Sequence, residues 1–292
     1  MGTKSLRGSD CNGQHQNLFA LFSARQLILS GIFWAIHLLK FPLSKRRYLS
    51  LSPPIFCRQF FFDRKQKKLF CVEIRGWNDW QTTTQIFYED DYGLEKLRRF
   101  DAINGYYSAL LGLNQTPLII DCGGNIGLAT RYFSDNYPGA KLLCVEPDAR
   151  NIDLAKRNNK KSTNTQFIEA AVGSESARGQ LIDPGLGNSG YRISAEPQGS
   201  TEIIDINTIL GQFDSTVFRP FIVKIDIEGY EAELFSKNTD WIEKFPILII
   251  ELHDWLLPKS GSSRNFINAI SKLDRDFIFY GENVFSVSNT LI

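Results

Sequence analysis

The chain carries almost no excess charge, few histidines and no cysteine framework, and each shortage removes a class of function. Lysine and arginine number 33 against 32 acidic residues, a formal charge of +1, so no global field draws the chain to nucleic acid and no nucleic-acid partner is expected. The five cysteines, Cys11, Cys57, Cys71, Cys122 and Cys144, are odd in number and lack the spacing of a disulfide scaffold or a zinc site. A reducing compartment, the cytoplasm, is the economical expectation. Cys122 and Cys144 fall in apolar runs, where a thiol behaves as a small hydrophobe, so neither is assigned chemistry. No internal repeat or low-complexity tract appears in the 292 residues, a length that allows one sizeable core plus an extension.

No apolar run reaches the roughly 20 residues a spanning helix needs. The run from Leu27 to Leu39 is stopped by Arg25 and Gln26 on one side and by Lys40 and Pro42 on the other, with Lys45-Arg46-Arg47 just beyond. It starts late for a signal peptide, follows no strong basic cluster and precedes no small-residue cleavage site. An amphipathic helix packed on the following domain is the preferred reading, because an apolar stripe is usually core. An interfacial helix held to anionic lipid by the basic triplet is the alternative, and it leaves peripheral membrane contact open.

Three segments follow from the pattern. Residues 1–52 form a helical extension, 53–93 a small antiparallel β element, and 94–292 the main domain. In the β element, 68–75 and 84–88 read as strands around Gly76-Trp-Asn-Asp79. The main domain opens with a helical stretch at 94–111. From Pro117 onward strand-like and helix-like runs alternate, the signature of βαβ units and a parallel sheet. The expected strands are 118–122, 141–146, 165–172, 221–227 and 247–252. The runs 276–280 and 284–287 flank Gly281-Glu-Asn283 as a closing antiparallel hairpin.

The first functional signal is Asp121-Cys-Gly-Gly-Asn-Ile-Gly127, between an apolar strand and a helical run. Glycine lets a tight turn bring backbone amides to a ligand at the start of the next helix, although ordinary turns use the same residues. The next strand ends in Glu146-Pro147-Asp148, about 20 residues on, where a carboxylate can accept both hydroxyls of a ribose. A helix cap is the plainer role for Glu146; the loop and the acid together favour a nucleoside ligand. Both a dinucleotide and adenosylmethionine satisfy these two features. Asp121 would repel a pyrophosphate and suits a sulfonium or an ammonium, so the second is preferred.

The ordered blocks Asp121-Cys-Gly-Gly-Asn-Ile-Gly127, Val145-Glu-Pro-Asp148, Glu169-Ala-Ala-Val-Gly173, Val223-Lys-Ile-Asp-Ile-Glu-Gly-Tyr-Glu231 and Ile250-Glu-Leu-His253 resemble FkbM-type methyltransferases over about residues 80–290. The resemblance implies an α/β fold: a doubly wound, Rossmann-like class I methyltransferase sheet with a terminal antiparallel hairpin, carrying here an N-terminal helical and β extension. It also implies methyl transfer from S-adenosyl-L-methionine to a hydroxyl of a sugar, glycan or secondary metabolite. Gly124 stands where the family pattern has alanine, a change expected to be harmless.

Position along the strands suggests roles. Asp121, Gly123, Asn125 and Gly127 build the loop that meets the cofactor, Glu146 holds its ribose, Ala171 and Val172 wall its adenine, and Asp226 lies at its amino acid end. His253 is the candidate base for the acceptor hydroxyl, with Asp226 and Glu251 beside it. Glu228, Asn188 and Ser189 are candidate acceptor contacts, the last two in the glycine-rich segment 185–199, expected as a lid. Lys224 either pairs with these acids or acts itself. No metal is expected, because the spacing matches no established signature. A nicotinamide-dependent oxidoreductase and a noncatalytic methyltransferase-like scaffold are the competing readings.

Overall fold

The computed structural model describes residues 23–44, 46–53, 56–182 and 192–292. Contacts divide them into two units, one running to Asp90 and the other starting at Asp91. The N-terminal unit opens with helix α1 (Ala24–Lys40), started by a capping box in which Ser23 accepts from the Gln26 amide and the Gln26 side chain accepts from that of Ser23. Strands β1 (Tyr48–Ser50), β2 (Arg58–Asp63) and β3 (Lys68–Glu73) form an antiparallel sheet. Tyr48, Phe61, Phe70 and Val72 are buried on its inner side. Arg47 ties the sheet by a two-pronged bond to Asp63, 3.0 and 2.7 Å long.

Where a strand is expected at 84–88, the chain is helical. Helix α2 (Trp77–Thr84) runs directly into a π turn, Gln85–Glu89. The Thr83 and Thr84 hydroxyls donate to the carbonyls of Asp79 and Trp80, at 2.7 and 2.9 Å, which fits the helical turn. Ile86, Phe87 and Tyr88 are all buried, whereas a strand over one core would bury alternate residues.

The C-terminal unit is built on α3 (Phe100–Gly112), β4 (Thr116–Cys122), α4 (Leu128–Asn136), β5 (Lys141–Glu146), α5 (Ala149–Asn158) and β6 (Thr165–Glu169). Then come β7 (Ala171–Gly173), β8 (Ala177–Ile182), β9 (Arg192–Ala195), β10 (Thr201–Asp205) and α6 (Ile206–Gly211). It closes with β11 (Phe218–Ile225), α7 (Glu231–Leu234), β12 (Ile247–Glu251), α8 (Arg264–Ile270), β13 (Arg275–Tyr280) and β14 (Asn283–Ser288). A seven-stranded sheet takes the order β13-β14-β12-β11-β4-β5-β6. Neighbours from β6 through β12 are parallel, and β14 runs antiparallel to β12 as half of the expected hairpin. Ile120, Val145, Val223 and Ile250 belong to its buried core, and the strands read as continuous apolar runs because a parallel sheet is covered on both faces. This is the doubly wound α/β class the sequence indicates.

The run 165–172 is not one strand. β6 ends at Glu169, and after Ala170 the chain leaves as β7 to pair in parallel with β10, Ala171 opposite Ile203. A second sheet, β7-β10-β8-β9, results, and β8 and β9 pair antiparallel within it. Their connection, including Asn188 and Ser189, lies outside the described residues. The chain winds outward from β4 through β5 to β6, then returns to β11 on the other side of β4. The crevice beyond the carboxyl ends of β4 and β11 is therefore the place where such a sheet takes a ligand.

Candidate active site

A cleft of about 560 Å³ opens at that crevice, and among the residues that line it are Gly123, Asn125, Glu146, Ala171, Val172, Asp226 and Glu228. Five elements deliver them: the loop after β4, the ends of β5 and β11, and the segments around β7 and α7. The loop after β4 is pressed against the end of β11. Gly123 has φ +73°, and a Cβ there would lie 1.8 Å from the carbonyl oxygen of Asp226, so only glycine fits. Gly124 is limited by a neighbouring side chain alone, since a Cβ would come 2.3 Å from the Cys144 sulfur. The departure from alanine is therefore matched to Cys144, and glycine sits here without a clash. Gly127, at φ +75°, turns the loop into α4 and does not line the cleft.

Glu146 is buried at the end of β5, with Oε2 accepting from the Asn125 amide (2.9 Å) and Oε1 from the Asp148 amide (3.1 Å) and the Asn151 side chain (2.9 Å). Burial raises its pKa, and those three donors oppose the shift. The Asn125 side-chain oxygen is buried with no hydrogen-bond partner among the described residues, and an unsatisfied acceptor in a cleft is a ready contact for a ligand donor.

Asp121 stands elsewhere than its sequence position suggests. It lies under the loop, 1% exposed, accepting from the Thr130 hydroxyl at 2.6 Å and pairing with Lys224 at 3.1 Å. It is not in the lining of the cleft, so its charge is met by the protein. Lys224 also donates to the carbonyl of Gly123 at 2.8 Å and pairs with Asp226 at 3.4 Å. Burial disfavours its charge, yet the two carboxylates hold its pKa well above the usual lysine range. This one ammonium fastens the loop after β4 to β11.

At the far side of Asp226 is a cluster that the strand ends bring together. His253 is 2% exposed. Its Nδ1 meets Glu231 Oε1 at 2.8 Å, and its Nε2 faces Glu251, Asp226 and Glu228 at 3.5, 3.7 and 3.8 Å. Glu231, which closes the block Val223–Glu231 and has no role assigned from the sequence, stands in the first turn of α7. It is fully buried, and the same oxygen accepts from the Gly229 amide at 3.3 Å. Glu228 and Gly229 both have positive φ, 56° and 98°, and that turn presents the Glu228 carboxylate to the cleft. Glu251 and His253 are not in the lining; they meet it through Asp226 and Glu228.

Crowding of like charges shifts this cluster. Burial and the neighbouring Asp226 lift Glu228 to about 7 and Glu251 to about 8, against relief from His253. For His253 burial favours the neutral ring, but the Glu231 hydrogen bond and the charges of Glu231, Asp226 and Glu251 outweigh it and lift the pKa to about 9. Ligand atoms of Asp226, Glu251 and His253 lie within 4.8 Å of one another, close enough for one divalent cation. The four described cysteines are free thiols, and burial pushes both Cys122 and Cys144 up, away from reactivity.

The parallel sheet with one antiparallel edge hairpin places the cleft at its switch point. A family model for the methyltransferase FkbM domain matches residues 121–279, more than half of the chain, and the chain belongs to that family: it is a methyltransferase. Hexuronic acid methyltransferase AglP of Haloferax volcanii is 26% identical over 169 residues, 56% of this chain and 68% of the relative. Methyltransferase sdnD of Sordaria araneosa is 22% identical over 161 residues, 44% of this chain and 62% of that one. The bifunctional kinase-methyltransferase WbdD aligns at 12% identity and TM-score 0.37, over 66% of this chain and 39% of its own.

Proposed function

We propose that the protein uses S-adenosyl-L-methionine to methylate a hydroxyl oxygen of a sugar or glycan, or of a related small molecule, with His253 as the base. The observation that carries this reading is the buried Glu231–His253 pair, which turns Nε2 toward the carboxylates at the end of the cleft. The cofactor fits the lining: Glu146 for its ribose, Ala171 and Val172 for its adenine, the tight Gly123 turn for close backbone approach, and the orphaned Asn125 oxygen for its ammonium. When bound, it supplies an electrophilic methyl group. Asp226 and Glu228 orient the acceptor hydroxyl, Glu251 tunes the charge beside them, and His253 Nε2 takes the proton. Glu231 is a positioning residue, since it fixes the ring and stabilises the imidazolium without touching the acceptor. A sugar acceptor is supported by the name of the archaeal relative, a hexuronic acid methyltransferase. The free thiols favour a reducing, cytoplasmic setting.

The test is methyl transfer to hydroxylated sugars. Replacing His253 by Asn lowers turnover by about 10²–10⁴, the usual worth of a general base, while cofactor affinity is kept. Because His253 holds a proton up to about pH 9, the wild-type rate climbs with pH through that value. Glu231→Gln shifts the climb to lower pH. An unchanged rate in His253→Asn removes the base assignment. The convergence of three ligand atoms within 4.8 Å sustains a second reading, in which a divalent cation activates the hydroxyl. Under the base reading transfer survives a chelator; loss restored by magnesium would assign the cluster to the cation.

A further inference from the structure

We infer that the N-terminal unit seats on an anionic bilayer surface, with α1 lying in the plane of the interface rather than crossing it. The inference is independent of the chemistry proposed for the C-terminal unit. Its first support is compositional. No aspartate or glutamate occurs between Asp10 and Asp63, although Arg25, Lys40, Lys45, Arg46, Arg47 and Arg58 all do. Arg47 is neutralised by Asp63 and Arg58 pairs with Glu73; the cations left in excess of acids match a negative surface, toward which the leaflet potential draws them.

The second support is the way α1 is used. One face is committed within its own unit. Phe33 packs edge-on to Trp80 at 6.0 Å, and His37 lies 4.3 Å from the Tyr88 ring. The other face carries Ile28, Leu29, Ile32, Ile36 and Leu39, continued by Leu43, all open to solvent, with Leu39 77% and Leu43 93% exposed. Their spacing of one to four residues makes a single stripe along the helix, and the exposed Arg25 and Lys40 lie near its two ends. Exposed apolar patches of this extent mark a contact surface. An apolar stripe bordered by cations is the form that inserts shallowly between headgroups.

Length alone would permit a crossing, since Ala24–Leu43 is 20 residues long. The packed face argues against it. His37 Nδ1 accepts from Arg46 at 3.2 Å, and burial with the nearby Arg46 charge lowers its pKa to about 4, so the ring is neutral and anchored. A crossing would break this packing and place Arg25, His37 and Lys40 in or near hydrocarbon. Lying in the plane leaves the packing intact.

The full chain, mixed with phosphatidylcholine vesicles with and without phosphatidylserine and read by flotation, tests this. The expected result is binding to the phosphatidylserine vesicles that weakens steeply with salt, is released by an alkaline wash, and falls about tenfold or more in the double variant Ile32→Glu, Leu39→Glu. Both positions are exposed, so an unchanged melting temperature shows that the variant is folded. No binding, or equal binding to neutral vesicles and by the variant, overturns the inference. Retention after the alkaline wash overturns the in-plane geometry in favour of a crossing. Self-association that the double variant abolishes, without vesicle binding, assigns the stripe to a second copy of the chain instead.

Discussion

At position 124 a methyl group would stand 2.3 Å from the sulfur of Cys144, a side chain with no exposure on the neighbouring strand β5. Gly124→Ala therefore overpacks the floor beneath the loop and is expected to cost about 1–3 kcal/mol. The pair Gly124→Ala, Cys144→Ala recovers most of that, because the second change removes the atom that clashes; thermal melts of the two proteins check it. Equal melts would mean that the loop shifts freely and is not held by Lys224. Other residues divide by how far their partners are in sequence. Glu146 and Asp226 were legible as acids at strand ends, and both line the cleft. Asp121 was misplaced, since the cation that neutralises it, Lys224, belongs to a distant block and only the β4–β11 pairing sets the two 3.1 Å apart. Glu231 was missed for the same reason: nothing local distinguishes it until β12 carries His253 to within 2.8 Å.

At the scale of elements, the five parallel strands and the closing hairpin could be read directly, because a strand buried on both faces writes itself as an apolar run bounded by turn residues. Two readings failed where local pattern gives way to packing. The segment 165–172 reads as one strand with a single acid, Glu169, inside it, yet Ala170 marks the point where the chain exchanges one sheet for another, and only the position of β10 decides that. Thr84 to Tyr88 has the residues of a strand, but three consecutive buried side chains and two threonine back-bonds belong to a helix. Helix α1 was the least decided element. Its stripe was legible, but which face meets protein and which stays open depends on Trp80 and Tyr88, residues of the same unit much further along the chain.

For the whole molecule, the buried cluster sets how stability responds to pH. His253 is raised from 6.5 to about 9, so its contribution is complete below about pH 6.5 and is lost as the pH rises through about 9. Glu228 and Glu251 are raised from 4.5 to about 7 and about 8, so they too favour the folded state in their protonated form, and that support is complete below about pH 4.5 and is lost as the pH rises through about 7 and about 8. The cluster's contribution to the melting temperature is therefore expected to fall between about pH 4.5 and about pH 9, first through the two carboxyls and then through His253, and a flat profile across that window would contradict the cluster's geometry. Cofactor binding adds stability by mass action, and it bears on the central claim, that the cleft at the switch point takes S-adenosyl-L-methionine with Glu146 on its ribose. The most direct measurement is calorimetric titration with S-adenosylmethionine and S-adenosylhomocysteine, with NADH as control. Both methionine-derived ligands should bind and NADH should not; Glu146→Ala should weaken them about ten- to a hundredfold, the worth of a charge-assisted contact of about 1.5–3 kcal/mol. Tight binding unaltered by Glu146→Ala, or binding of NADH alone, would contradict the account.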